Sequence, residues 1–155
     1  MMKIKSILIL IMSGFLFACE HGEKEIIVVP RNYVGYVIVI YNQKQGEGKS
    51  YLDGKRVYKI PQNGILKTQF PGDYGDLGLP KFYYDDIRAS NQIPYFIDTK
   101  TMSSKIVGAS GGETGVAEPN NGSEIEFQLF YVGTQKDMEK AYSDVQKLDI
   151  LKLAK

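Results

Sequence analysis

The chain has no tryptophan, a single cysteine and a single histidine among its 155 residues. One cysteine leaves no internal disulfide, so the fold must hold through its core alone. The one histidine, His21, lies near the N-terminus, ahead of every predicted strand. Ser-His-Asp and Cys-His catalysis, and His-rich zinc sites, need histidine inside the fold, so those constellations are excluded in their usual form. No G-x-x-x-x-G-K-[ST] motif occurs, and the glycine-rich stretch 108–115 contains no lysine, which removes the P-loop signature. Charge of one sign is also missing: 19 basic residues stand against 18 acidic ones. Without clustered Lys and Arg, nucleic acid is not an expected partner. Long apolar runs are confined to one, Ile7 to Phe17, shorter than the roughly 20 residues that span a bilayer.

That run is nevertheless informative. Lys3 and Lys5 precede it and Ala18-Cys19 end it, the basic, apolar and small-residue order of a secretory signal. Residues 1–18 are therefore predicted to be a signal peptide, with Cys19 as the first residue of the mature chain. Leu16-Phe17-Ala18-Cys19 resembles the lipobox of bacterial lipoproteins, with Phe17 in place of the usual small residue. The resemblance implies lipid attachment at Cys19 through three acyl chains of the palmitate type. A single chain binds a membrane reversibly, whereas several on one cysteine anchor stably. The bilayer is then a partner, and the expected location is the bacterial cell envelope, most naturally the outer membrane, with the leaflet open. Residues 19–25 form an acidic tether that reaches about 20 Å when extended.

Without residues 1–18 the count is 17 basic to 18 acidic, and 137 residues remain, enough for one self-sufficient domain over 26–155. Sixteen glycines and eleven tyrosines point to a β-rich, turn-rich fold. Residues 26–29 open it. Tyr33 to Tyr41 is β-branched and aromatic almost throughout, as a central strand covered on both faces should be. Asp53-Gly54 sets a tight hairpin turn between 50–52 and 56–60, and Pro61-Gln62-Asn63-Gly64 a second turn before a strand over 65–70. Strands are expected at 81–87 and 93–97, and a weak one at 105–107. Gly108 to Gly122 reads as a loop or poorly paired hairpin. Glu124 to Val132 alternates, with Glu124, Glu126 and Gln128 on a wet face. Thr134, three residues before Asp137, begins an amphipathic helix over 134–151, whose stripe of Met138, Ala141, Tyr142, Val145 and Leu148 is expected to pack on the sheet.

Three stretches, VPRNYVGYV (Val29–Val37), YKIPQNGILKT (Tyr58–Thr68) and FYVGT (Phe130–Thr134), in that order behind a lipoprotein signal, resemble a family of small bacterial lipoproteins, domain of unknown function 6843. Tyr36 stands where tryptophan is expected in many members. The resemblance implies an exported bacterial domain without an established activity. The IPQNG turn also resembles, more loosely, transthyretin-like or carboxypeptidase-regulatory β-sandwiches.

The chain thus reads as mainly β: an antiparallel β-sandwich of about seven or eight strands with a C-terminal amphipathic helix. No catalytic, cofactor-binding or metal-ligating residue is singled out. Asp85-Asp86, Asp73/Asp76 and Asp98 are the acids that a calcium site or a carboxylate pair would draw on. Tyr83, Tyr84, Tyr95 and Phe96 are the candidate ligand-contact residues, a stacking platform if one ring of each adjacent pair faces outward. The expected role is a non-enzymatic binding or structural module for an envelope protein, peptide or glycan. The alternatives are a carboxylate-dependent surface hydrolase and an accessory subunit docking through its C-terminal helix.

Overall fold

The computed structural model describes residues 22–155 except 76, 77, 119–121 and 123. The signal, Cys19 and His21 lie outside the described residues. Two mixed sheets face one another. The first has the order β3-β4-β1-β6-β7 and the second β5-β2-β9-β8. The first contains β1 (Glu25–Val29), β3 (Tyr51–Leu52), β4 (Lys55–Lys59), β6 (Lys81–Tyr84) and β7 (Gln92–Ile93). The second contains β2 (Gly35–Ile40), β5 (Ile65–Lys67), β8 (Gly108–Ala117) and β9 (Ile125–Gly133). Helix α1 (Gln135–Val145) lies over the second sheet, and a short α2 (Ile150–Leu153) follows.

The mainly β, two-sheet reading holds, with nine strands and with pairings that are not all antiparallel. β1 runs parallel to both β4 and β6, and β2 parallel to β5. Strands paired on both sides and covered on both faces read as unbroken apolar runs, and in β1, buried throughout, Ile26 to Val29 is such a run behind the acid Glu25. The Asp53-Gly54 turn is as expected: both residues have positive φ, and Leu52 faces Lys55 across it. Pro61–Gly64 is not a hairpin. It carries the chain from β4 in one sheet to β5 in the other, with the Gly64 amide donating to Pro61 O. The hairpin that carried the looser transthyretin-like resemblance is therefore absent.

The main core lies between the sheets. Ile27, Val29, Tyr58, Phe82 and Ile93 meet Val37, Val39, Tyr41, Phe130 and Val132 there. Each such side chain contributes roughly 1.5–3 kcal/mol on removal from water. A second core fills the space under α1, where Met138, Ala141 and Val145 pack on Ile38, Ile40, Leu129 and Tyr131. The helix stripe therefore belongs to this domain's own core, except Tyr142, which is half exposed at the helix edge.

β9 corrects the expectation of a wet face. Gln128, Phe130 and Val132 point between the sheets while Leu129 and Tyr131 lie under the helix side, so both faces are covered from Gln128 onward. The helix is also shorter than its periodicity suggests. Its capping box is present, with the Thr134 amide donating to Asp137 Oδ2 at 3.0 Å, but the chain leaves the helix after Val145. Asp149 then accepts the Lys152 amide and starts α2 separately.

The largest departure is β8. The stretch read as a loop is a ten-residue strand paired with β9 along its whole length. Its glycines answer to tertiary needs. Gly111 and Gly112, both at positive φ, form a bulge where the register shifts by one residue. A Cβ on Gly108 would come within 2.6 Å of the Phe96 ring, so only glycine admits that ring against the strand.

Candidate functional site

The bulge in β8 matters because it opens a groove. The strand, the first half of α1 and the segment 97–99 enclose about 470 Å³. Tyr131 lies at its floor, Ser110 and Glu113 on the strand wall, and Met138, Glu139 and Tyr142 on the helix wall. The register explains the convergence. Ser110 pairs with Tyr131 and Glu113 with Leu129, so all four share the face turned to α1. Met138 and Tyr142, four residues apart, lie on one side of the helix.

Tyr131 is unusual. Only 7% of it is exposed, and its hydroxyl is buried without a hydrogen-bond partner among the described residues. Leaving such a group unpaired costs about 1–3 kcal/mol. Burial first, then the Glu113 carboxylate and Tyr142, push its phenol up to about 12, so it stays protonated. The Tyr142 ring is 6.2 Å away, tilted by 55°, and half of that residue is exposed.

The sequence-predicted contact residues lie outside this groove's lining, divided among three apolar clusters. Tyr83 joins Ile26, Val28 and Val57 on the face of the first sheet turned away from the second. Tyr84 packs against the main core, its hydroxyl donating to Tyr33 O at 3.4 Å. Tyr95 stacks on Phe82 and donates to Gly111 O at 2.7 Å, which supports the bulge. Phe96 lies against the core beneath α1. The four rings do not form one surface.

The acids are also dispersed. Asp85 pairs with Arg31 at 2.6 Å, and Asp86 with Arg88 at 2.6 Å. Asp98 accepts the Lys100 amide at 2.9 Å. Asp76 lies outside the described residues. Among the described residues, no three His, Cys, Asp or Glu side chains gather as a metal site would require.

Two carboxylates do meet at the end of the sandwich where the tether enters. Buried Arg56 holds Glu23 at 2.6 Å and Asp73 at 3.4 Å, and donates to Pro71 O at 2.7 Å. The Glu23 amide donates to Asp73 Oδ2, and the Arg56 amide to Lys24 O. Behind this staple lies Glu25, 3% exposed. Burial pushes its carboxyl up to about 7, although Tyr58, Arg56, Tyr41 and Gln128 all favour the charged form. The Tyr41 hydroxyl donates to Gln128 Oε1 at 2.6 Å and stands 3.4 Å from Glu25 Oε1. Tyr58's buried hydroxyl adjoins them without a partner of ordinary hydrogen-bond geometry.

Sequence reasoning missed the groove because it missed β8. The pairing that brings Ser110 and Glu113 beside Tyr131 spans about 20 residues and leaves no local periodic signal, since the glycines interrupt it.

Fold and groove define the class: a two-sheet mixed β-sandwich covered on one face by a helix, with an acidic, aromatic groove between helix and edge strand. The chain belongs to the family of unknown function DUF6843, whose model matches residues 21–142. Among solved structures it is similar to a “Putative Lipoprotein from Bacillus anthracis”, at 18% identity and a TM-score of 0.52, covering 71% of this chain and 69% of that one. That likeness is one of fold. No curated protein matches the sequence. Among the described residues, no helix is long and apolar enough to cross a membrane.

Proposed function

We propose that this protein is a lipid-anchored lipoprotein of the bacterial cell envelope whose folded domain is a non-enzymatic binding module, with the groove between α1 and β8 as its binding surface. The observation that carries the binding role is Tyr131, which lines a cavity of ligand size and whose buried hydroxyl has no partner among the described residues. The anchor rests on the Lys3/Lys5, apolar-run and Cys19 pattern. The name of the Bacillus anthracis neighbour agrees with it. Of the acids that stand out in the sequence, Asp73, Asp85 and Asp86 are each held by an arginine and Asp98 by a backbone amide, which ties those four to structural roles. The ligand is an envelope protein, a peptide or a glycan, and the outer membrane is the membrane of first choice.

The test compares native protein with Cys19→Ser by intact mass and detergent partitioning. The native chain should begin at Cys19, carry acyl mass and enter the detergent phase, and the variant should lose all three properties. A soluble native protein without acyl mass would sink the anchor.

A further inference from the structure

Resting on the groove as the binding surface, we infer that it takes an ammonium or guanidinium group carried on an apolar stem, the chemistry of a lysine or arginine side chain or of a free alkylamine. The lining is one-sided in charge. Asp98, Glu113 and Glu139 contribute carboxylates, and among the described residues no lysine or arginine lines the cavity. Asp98 and Glu139 are partly engaged, by the Lys100 amide and by Gln135 Nε2 at 3.3 Å. Glu113 is exposed and makes no hydrogen bond or ion pair with the described residues.

Three independent features favour a cation over a neutral or anionic ligand. The Tyr142 ring, half exposed and 6.2 Å from the buried Tyr131 ring, presents an aromatic surface of the kind that attracts cations through its negative face. Beside the Gln135 amide and the Thr99 hydroxyl, the cavity walls supply three carboxylates and the Ser110 hydroxyl. Ser110 is only 6% exposed, and its side chain has no hydrogen bond with the described residues. An ammonium carries three donors and a guanidinium five, so a cation would satisfy oxygens that the fold itself leaves without donors. Finally, Met138 and exposed Ile97 offer apolar contact for the stem of such a group.

The experiment uses mature acylated protein in neutral detergent, with calorimetric titration and NMR of labelled tyrosines. The probes are hexylammonium chloride and acetyl-Phe-Lys-Phe-amide, with acetyl-Phe-norleucine-Phe-amide as the uncharged control. An ammonium probe should bind, shift the Tyr131 and Tyr142 signals, and weaken as salt rises. The norleucine peptide should bind at least tenfold more weakly. Glu113→Gln/Glu139→Gln, both changes in solvent-accessible carboxylates, should weaken ammonium binding at least tenfold with an unchanged melting temperature. Preference for the lysine peptide over hexylammonium identifies a peptide source, and the reverse a free amine. Equal shifts from lysine and norleucine peptides would overturn the cation inference while leaving the groove as a binding surface. Undiminished binding in the double variant would overturn it in the same way. No tyrosine shift from any probe at millimolar concentration would overturn both.

Discussion

Glu25 shows how one residue ties sequence to stability. It sits at the start of a central strand, where alternation gives no warning of an acid, and Gln128 and Tyr41 close over it from the other sheet. Its folded carboxyl is raised from 4.5 to about 7. A raised acid means that the folded state binds more protons than the unfolded one between those values, so stability falls as pH climbs through that window. The expected loss between pH 5 and pH 8 is on the order of 2–3 kcal/mol. Glu25→Gln should flatten this slope and be the more stable form at pH 8. Urea midpoints of both proteins at the two pH values check it, and equal slopes would refute it. At this scale the sequence was least legible. Tyr83, Tyr84, Tyr95 and Phe96 are conspicuous as letters, but their surroundings depend on which strands pair. Tyr131 stands out only once the fold places its hydroxyl beneath α1 without a hydrogen-bond partner among the described residues.

The elements were read according to how local their causes are. β2 announces itself through β-branched residues, the β3–β4 turn through Asp53-Gly54, and α1 through Thr134 and Asp137. Each is dictated within a few residues. β8 is different: its glycines make room for Phe96 and for the backbone of β9, which are demands from elsewhere in the chain. Gly111 is the sharpest case, at a φ of 115° with Leu129 O 2.7 Å from where a Cβ would lie. Gly111→Ala should therefore cost at least about 1–3 kcal/mol, from the strained backbone alone. Gly48, with nothing near its Cβ position, provides the control. Thermal unfolding of both alanine variants decides the matter, and similar midpoints would show that the bulge is not needed.

For the whole molecule, a two-sheet, mainly β fold with a helix packed on a sheet follows from composition and pattern, whereas the sheet order does not. β1 and β2, adjacent in sequence, enter different sheets and each runs parallel to a later strand, a choice made by packing and not by turn chemistry. The domain also begins earlier than the apolar pattern suggests, because the Arg56 staple captures Glu23 and Lys24. Arg56→Met should cost about 2–3 kcal/mol, less than for a fully buried pair because Glu23 is 40% exposed. It should also speed proteolysis at residues 22–24 and 71–75. Unchanged cleavage there would mean that β1 alone holds the entry.

The pairing of β2 with β9 has a kinetic side. Tyr36 meets Tyr131, about 95 positions later. Closing so long a loop is entropically slow, and contacts of this separation form late. During synthesis β2 lacks its antiparallel neighbour until almost the whole chain exists, so the second sheet cannot mature early. Late consolidation is a hazard for a protein that must fold beside a ribosome. For one taking the route proposed above, it keeps the chain loose enough to thread a narrow translocation channel.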